Sequence, residues 1–210
     1  MNFERDSKYD GYHAILSASQ NAWLNYDSEE QFIRLVKAKY APVIGTSLHE
    51  LARKLIEDGQ RLKKNGKCLV YFYLRQKKIP KKMIDIDIWY EAFMTYVNDA
   101  IMFKMTPEIP MFYTDYAGGT TDCISFDGKL LRIHDLKTGI VPAKMDQLEV
   151  YAAYFCLWKK IKPHDIDIEL RIYQADQILS LRPEADEIYA IIQKIIDGNN
   201  IVARILAEEE

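Results

Sequence analysis

Leu48, Leu51, Ala52, Leu55, Ile56 and Leu62 recur at the spacing of one helical face, and they predict a long amphipathic helix over 46–64 opened by Gly45-Thr46-Ser47. A shorter helix is expected over 29–39. It should stop before Pro42, because the residue ahead of a proline is pushed out of the helical region. Ser17 or Ser19 is placed to cap a brief helix running through Trp23. A further amphipathic helix, rich in aromatics, is predicted over 84–105. The period then changes. Segments 109–113, 120–126 and 129–136 read as consecutive antiparallel strands, the last two joined at Asp127-Gly128, a strong hairpin signal. A helix over 146–161, a strand over 166–173 and a closing helix over 183–207 follow, with an acidic tail at 208–210. One more strand is expected at 69–74. The order helix, three strands, helix, strand, with extra helices in front, predicts an α/β fold with a mixed central β-sheet. A single domain over 1–210 is expected, mostly helical over 1–105, carrying its sheet over 106–182 and its closing helix over 183–210.

Composition narrows the class without naming a function. At 210 residues, with 49% apolar and 28% charged residues, the chain can bury one good core. No apolar run reaches the roughly 18 residues of a membrane span, and the first residues lack the order of a secretory signal. Cys68, Cys123 and Cys156 are odd in number and widely spaced, which disfavours a disulfide framework or a zinc or iron–sulfur site and suits a reducing, intracellular (cytoplasmic) setting. Net charge is −3, yet from 61 to 82 there are nine basic residues and no acidic one. Lys63, Lys64, Lys67, Arg75, Lys77, Lys78, Lys81 and Lys82 are the candidates for phosphate contact, with Tyr71, Phe72 and Tyr73 interleaved as stacking surfaces. A solvated helix end with a charged loop would read the same way.

Chemistry concentrates between 119 and 151. Asp122 follows Gly118-Gly119-Thr120, and Lys137 stands two residues after Asp135. Residues i and i+2 of a strand share a face, so Asp135 and Lys137 should project together with Ile133 while Leu136 points to the core. Two carboxylates beside a lysine suit phosphodiester hydrolysis. Oxygen ligands hold Mg²⁺ or Mn²⁺, the ion acidifies a bound water, and the ammonium orients it or offsets charge. His134 should face away from Asp135, and Cys123 should point inward.

These residues resemble the PD-(D/E)xK nuclease superfamily, in its RecB-like branch, over most of the chain. The segment 14–24 is similar to the leader helix of phage and prophage members, and Gly45-Thr46-Ser47-Leu48-His49-Glu50-Leu51-Ala52 to the first motif, whose histidine binds metal. Glu108 stands where a glutamate often precedes the first strand, Asp122 matches the second motif, and Asp135 with Lys137 matches D-x-K. Gln147 and Tyr151 match Q-x-x-x-Y on the next helix. The resemblance implies a restriction-endonuclease-like core, with a metal held by His49, Asp122, Asp135 and the Leu136 carbonyl, and Glu108 as an added candidate. It gives catalytic roles to Asp122, Asp135, Lys137, Gln147 and Tyr151. Arg171 and Gln174 resemble a polar pair of the family, which would contact DNA or simply solvate an edge strand. Tyr26 stands near the place of the first cluster cysteine of some relatives, so no iron–sulfur cluster is expected. The implied activity is a metal-dependent DNA exonuclease of phage or prophage recombination, repair or replication, acting on duplex or single-stranded ends. The alternatives are an endonuclease of the same fold and a non-catalytic DNA-binding or recombination-partner module. Partners implied are DNA, a second copy of the chain, and a single-strand annealing protein or a helicase. Since no G-x-x-x-x-G-K-[ST] loop occurs, any motor lies on another chain.

Overall fold

The computed structural model describes residues 7–11, 14–139 and 141–207, so the acidic tail lies outside the described residues. The segment expected as a leader helix is a 3-10 helix, Ala18–Asn25, with Ser17 before it making no capping bond. Glu29–Glu57 then form one helix, α1. Its start is a reciprocal capping box, in which Ser28 Oγ accepts from the Gln31 N–H and Gln31 Oε1 accepts from the Ser28 N–H.

Pro42 does not divide α1, contrary to the expectation of two helices. Proline removes one N–H, but the helix runs on through that defect and through Gly45-Thr46-Ser47, whose Ser47 is buried with Leu48 in the packed half of α1. The helix stops well short of 64. Gly59 adopts φ +65, and the N–H groups of Gly59 and Gln60 return to the Ile56 and Leu55 carbonyls at 3.1 and 2.8 Å. That pair of bonds is a Schellman stop.

Segment 69–74 is not a strand: Lys67–Gln76 form a helix, α2. Val70 and Leu74, one turn apart, are its buried pair, packed with α1 and with Ile86–Met102, helix α3. Those neighbours offer no strand edge, so the aromatic, β-favouring composition is overridden by helical packing.

The sheet contains β1 (Thr106–Thr114), β2 (Ala117–Phe126), β3 (Leu130–Lys137), β4 (Asp167–Gln174) and β5 (Gln177–Leu181), in that spatial order. Only β3 and β4 pair in parallel. A parallel pair needs a crossover, and Asp146–Lys159, helix α4, supplies it. Strand β5 was not expected, because its residues are largely exposed and show no alternation. It makes β4 an inner strand.

Helices cover both faces of the sheet. One core joins α1 and α3 to Cys123, Leu136 and Tyr173; the other joins α4 and α5 (Ala185–Ala207) to Leu131, Ile133, Leu170 and Ile172. The protein is therefore α/β with a five-stranded mixed sheet flanked by helices. No described helix is long and apolar enough to cross a membrane, and all three cysteines are free.

Candidate active site

The site forms where β2 and β3 part. Their last backbone pair is Cys123 with His134, yet β3 runs on to Lys137. Beyond that pair a side chain replaces the ladder, with Asp122 Oδ2 accepting the Leu136 N–H at 2.9 Å. Alternation then decides the faces. Cys123, His134 and Leu136 are buried toward α1 and α3, while Asp135 and Lys137 share the α4 side with Ile133. Burial pushes the Cys123 thiol up to about 12, so it stays a neutral packing group.

Asp135 is 3% exposed, and its Oδ2 is buried without a hydrogen-bond partner. Lys137 Nζ lies 2.9 Å from that oxygen as an ion pair, but donates its directed bond to Oδ1, at 3.1 Å. Burial first, then the neighbouring Asp135 charge, push the Asp122 carboxyl up to about 6; His49, the Leu136 N–H and Lys137 oppose the shift. The Asp135 charge thus lies close enough to disfavour the ionised form of Asp122.

Lys137 also donates to Gln147 Oε1 at 3.0 Å, and Gln147 Nε2 donates to the Tyr151 hydroxyl at 3.3 Å. Gln147 and Tyr151 stand one turn apart on the first turns of α4, so both reach the end of β3. Gly119 of β2 makes room for the tyrosine: a β-carbon there would stand 2.9 Å from Tyr151 Cε1.

The third side of the cleft comes from α1. Gly45 lets that helix pass close to the end of β3, since a β-carbon there would lie 3.2 Å from Thr138 Oγ1. One turn later His49 Nδ1 sits 3.4 Å from Asp122 Oδ2. Glu108 lies within β1, not in a loop ahead of it, and the register of Pro107 with Cys123 and Ile109 with Thr121 sets it opposite Asp122. Its φ is +51, left-handed backbone on a non-glycine strand residue. Such strain is held where the surroundings overdetermine it, often at a site. Glu108 Oε2 is 3.4 Å from Arg53 Nη1. Glu108, His49, Gly45 and Asp122 line one open hollow of about 480 Å³.

The basic stretch divides in two. Lys67 pairs with Asp87, Lys77 donates to Glu50 Oε2 at 2.7 Å, and Arg75 donates to the Ile79 carbonyl. Lys77 and Lys54 hold the Glu50 carboxyl down at about 2. The exposed side chains of Lys63, Lys64, Lys78, Lys81 and Lys82 carry no ion pair among the described residues.

Arg171 and Gln174 are not edge residues. Arg171 pairs with Asp99 at 3.1 Å and with Glu169 at 3.0 Å. Gln174 binds the loop after β3, donating to the Gly139 and Val141 carbonyls and accepting the Ala143 N–H. That bracing role had no local sequence signal, because its partners lie more than 30 positions away.

No family model matches the chain, and no curated protein matches it. What the site can do is read from its own side chains. A buried carboxylate paired with a single lysine, beside a second carboxyl whose charge is disfavoured, fits a divalent cation: the ion would stabilise both charges at once. No cluster of three or more His, Cys, Asp or Glu side chains at ligating separation occurs among the described residues. Asp122 and Asp135, with His49 beside them, would therefore leave positions for main-chain oxygen, water or substrate.

Proposed function

We propose that this protein is a divalent-metal-dependent deoxyribonuclease with a restriction-endonuclease-like core of the PD-(D/E)xK type, acting as an exonuclease on DNA ends. The observation that carries the proposal is buried Asp135 beside half-buried Asp122, whose carboxyl is pushed up in part by the Asp135 charge, with Lys137 paired to Asp135 on the same strand face. Asp122 and Asp135 would hold Mg²⁺ or Mn²⁺, with His49 and the Leu136 carbonyl as the nearest added donors and Glu108 at the rim. When bound, the ion supplies Lewis acidity toward the phosphate and a water of lowered pKa.

The chain's own residues do the positioning. Lys137, fixed between Asp135 and Gln147, presents its ammonium to the attacking water and to negative charge developing on the phosphate. Tyr151 braces Gln147, and so the lysine, from one turn further along α4. The unpaired lysines of 61–82 would hold the substrate backbone away from the chemistry, where their charge acts through counterion release. In-line displacement of the 3′-oxygen leaves a 5′-phosphate.

The test is cleavage of labelled linear duplex, linear single-stranded and covalently closed circular DNA, each with Mg²⁺, Mn²⁺ or EDTA. Metal-dependent loss of linear DNA with intact circles is expected. Cut circles would replace the exonuclease with an endonuclease, and binding without cleavage would replace the enzyme with a binding module.

A further inference from the structure

Beside the carboxylate pair, on the α4 side of β2, lies a second hollow of about 390 Å³. Its volume falls near the small end of ligand sites, which run from roughly 300 to 1,000 Å³. Gly118 and Gly119 line it from the strand, and Gln147, Tyr151 and Tyr154 line it from the helix. Resting on the nuclease reading, we infer that this hollow is a nucleoside subsite, which takes one unpaired base of the strand whose phosphate meets Asp122 and Asp135.

Metal donors separate the two hollows by ligand, because a cation held at the first would meet the phosphate. The first holds His49, Glu108 and Asp122. The second has no basic residue in its lining and carries Asp146, an acidic neighbour that repels phosphate. Lys137, the nearest ammonium along the hydrogen-bond chain, is already turned to Asp135 and Gln147. A flat, neutral, polarisable group suits this lining better than an anion does.

The walls are built for such a group. Glycine at 119 lets the Tyr151 ring close on the strand backbone, so that ring forms one wall of the hollow. Tyr154 is half-buried against the α4–α5 core and makes no hydrogen bond or ring contact with any described residue. A ring held in place by packing and otherwise unused is a ready stacking surface, and base–aromatic stacking tolerates any base. Gln147 joins the second hollow to the Lys137–Asp135 pair, holding Lys137 with one atom and Tyr151 with another. A base in the second hollow would therefore set the phosphate's position at Asp135 and Lys137. The space suits one nucleoside rather than a stacked pair, so a base must leave its helix to enter, and frayed or single-stranded ends are the preferred substrate.

The experiment uses single-stranded oligonucleotides with 2-aminopurine at the 5′ or the 3′ terminal nucleotide, protected from cleavage by phosphorothioate linkages, in Mg²⁺. Wild type, Tyr154→Phe and Tyr154→Leu are compared by fluorescence quenching and by affinity. Quenching of one of the two labelled ends by wild type and by Tyr154→Phe is expected. Tyr154→Leu, which fills the space without an aromatic face, should lose most of the quenching and bind roughly tenfold more weakly, within the range of one missing stack. Equal quenching and affinity in Tyr154→Leu would overturn the subsite, as would no quenching at either end by saturating wild type. If Tyr154→Leu does not fold, an abasic terminal nucleotide on wild type decides instead: about tenfold weaker binding supports the subsite, and unchanged binding overturns it. Failure of the nuclease reading is separate. It would appear as quenching without metal-dependent cleavage of unprotected DNA, which keeps the subsite and removes the chemistry.

Discussion

Asp122 carries opposite consequences for folding and for chemistry. With its carboxyl pushed up to about 6, the metal-free folded state disfavours the ionised form. The cost is fully present above pH 6 or so, and it fades as pH falls toward the unfolded value near 4. Asp122→Asn keeps an oxygen to accept the Leu136 N–H and removes the repulsion with Asp135. In EDTA at pH 8 its melting temperature should exceed wild type by roughly 2–6 °C, with the gap closing by about pH 4.5. Its cleavage should be lost. His134 behaves differently. The Tyr173 hydroxyl donates to Asp99 at 2.7 Å, so the 3.2 Å contact with His134 Nδ1 makes that nitrogen the donor and leaves buried Nε2 unprotonated and unpartnered. Burial, then Arg171 and Arg132, push the His134 pKa down to about 3. Its contribution to stability is full above the unfolded pKa near 6.5 and is lost as pH falls from there toward 3. The melting temperature of wild type relative to His134→Phe should fall from pH 7 to 4, a comparison that cancels the opposite trend at Asp122.

At the level of elements, α1 is the scaffold that brings His49 to the strands, and it does so across a proline. Pro42→Ala restores one helix N–H and should stabilise the protein by about 1–3 kcal/mol, read as a higher denaturation midpoint, with cleavage unchanged. Gln174→Ala removes all three bonds to the loop after β3, so amide exchange at Thr138, Gly139, Val141 and Ala143 should accelerate, with less effect on the sheet. The same elements explain what is legible in the chain. Strands β2 and β3 can be read because the Asp127-Gly128 turn and the period-2 pattern agree, and with them comes the common face of Asp135 and Lys137. The Q-x-x-x-Y pair can be read because helical spacing is local. Helix α2 reads as a strand because its apolar run has no period of its own, and only tertiary neighbours choose its helical state. Strand β5 escapes notice because an exposed edge strand needs no alternation. The continuity of α1 is hidden because proline statistics describe isolated segments. Glu108 is expected just ahead of the first strand, whereas only the β1–β2 register reveals it opposite Asp122.

For the whole molecule, a net charge of −3 conceals a polarity useful for binding a polyanion. The exposed lysines without an ion pair among the described residues, Lys63, Lys64, Lys78, Lys81 and Lys82, flank α2. Replacing Lys63, Lys64, Lys81 and Lys82 with Gln should weaken DNA binding and make it less salt-dependent, the slope of log K against log salt falling by about 0.7–0.9 for each phosphate left unneutralised. Lys77→Gln should instead lower stability, because its partner is Glu50. The measurement that bears most directly on the account is metal-dependent cleavage of end-labelled linear DNA by wild type and by Asp135→Asn, side by side and with folding verified. The Asp122–Asp135 site predicts cleavage by wild type in Mg²⁺ or Mn²⁺, none in EDTA, and a loss of at least about a thousandfold in the variant. Equal metal-dependent cleavage by the two proteins would contradict it.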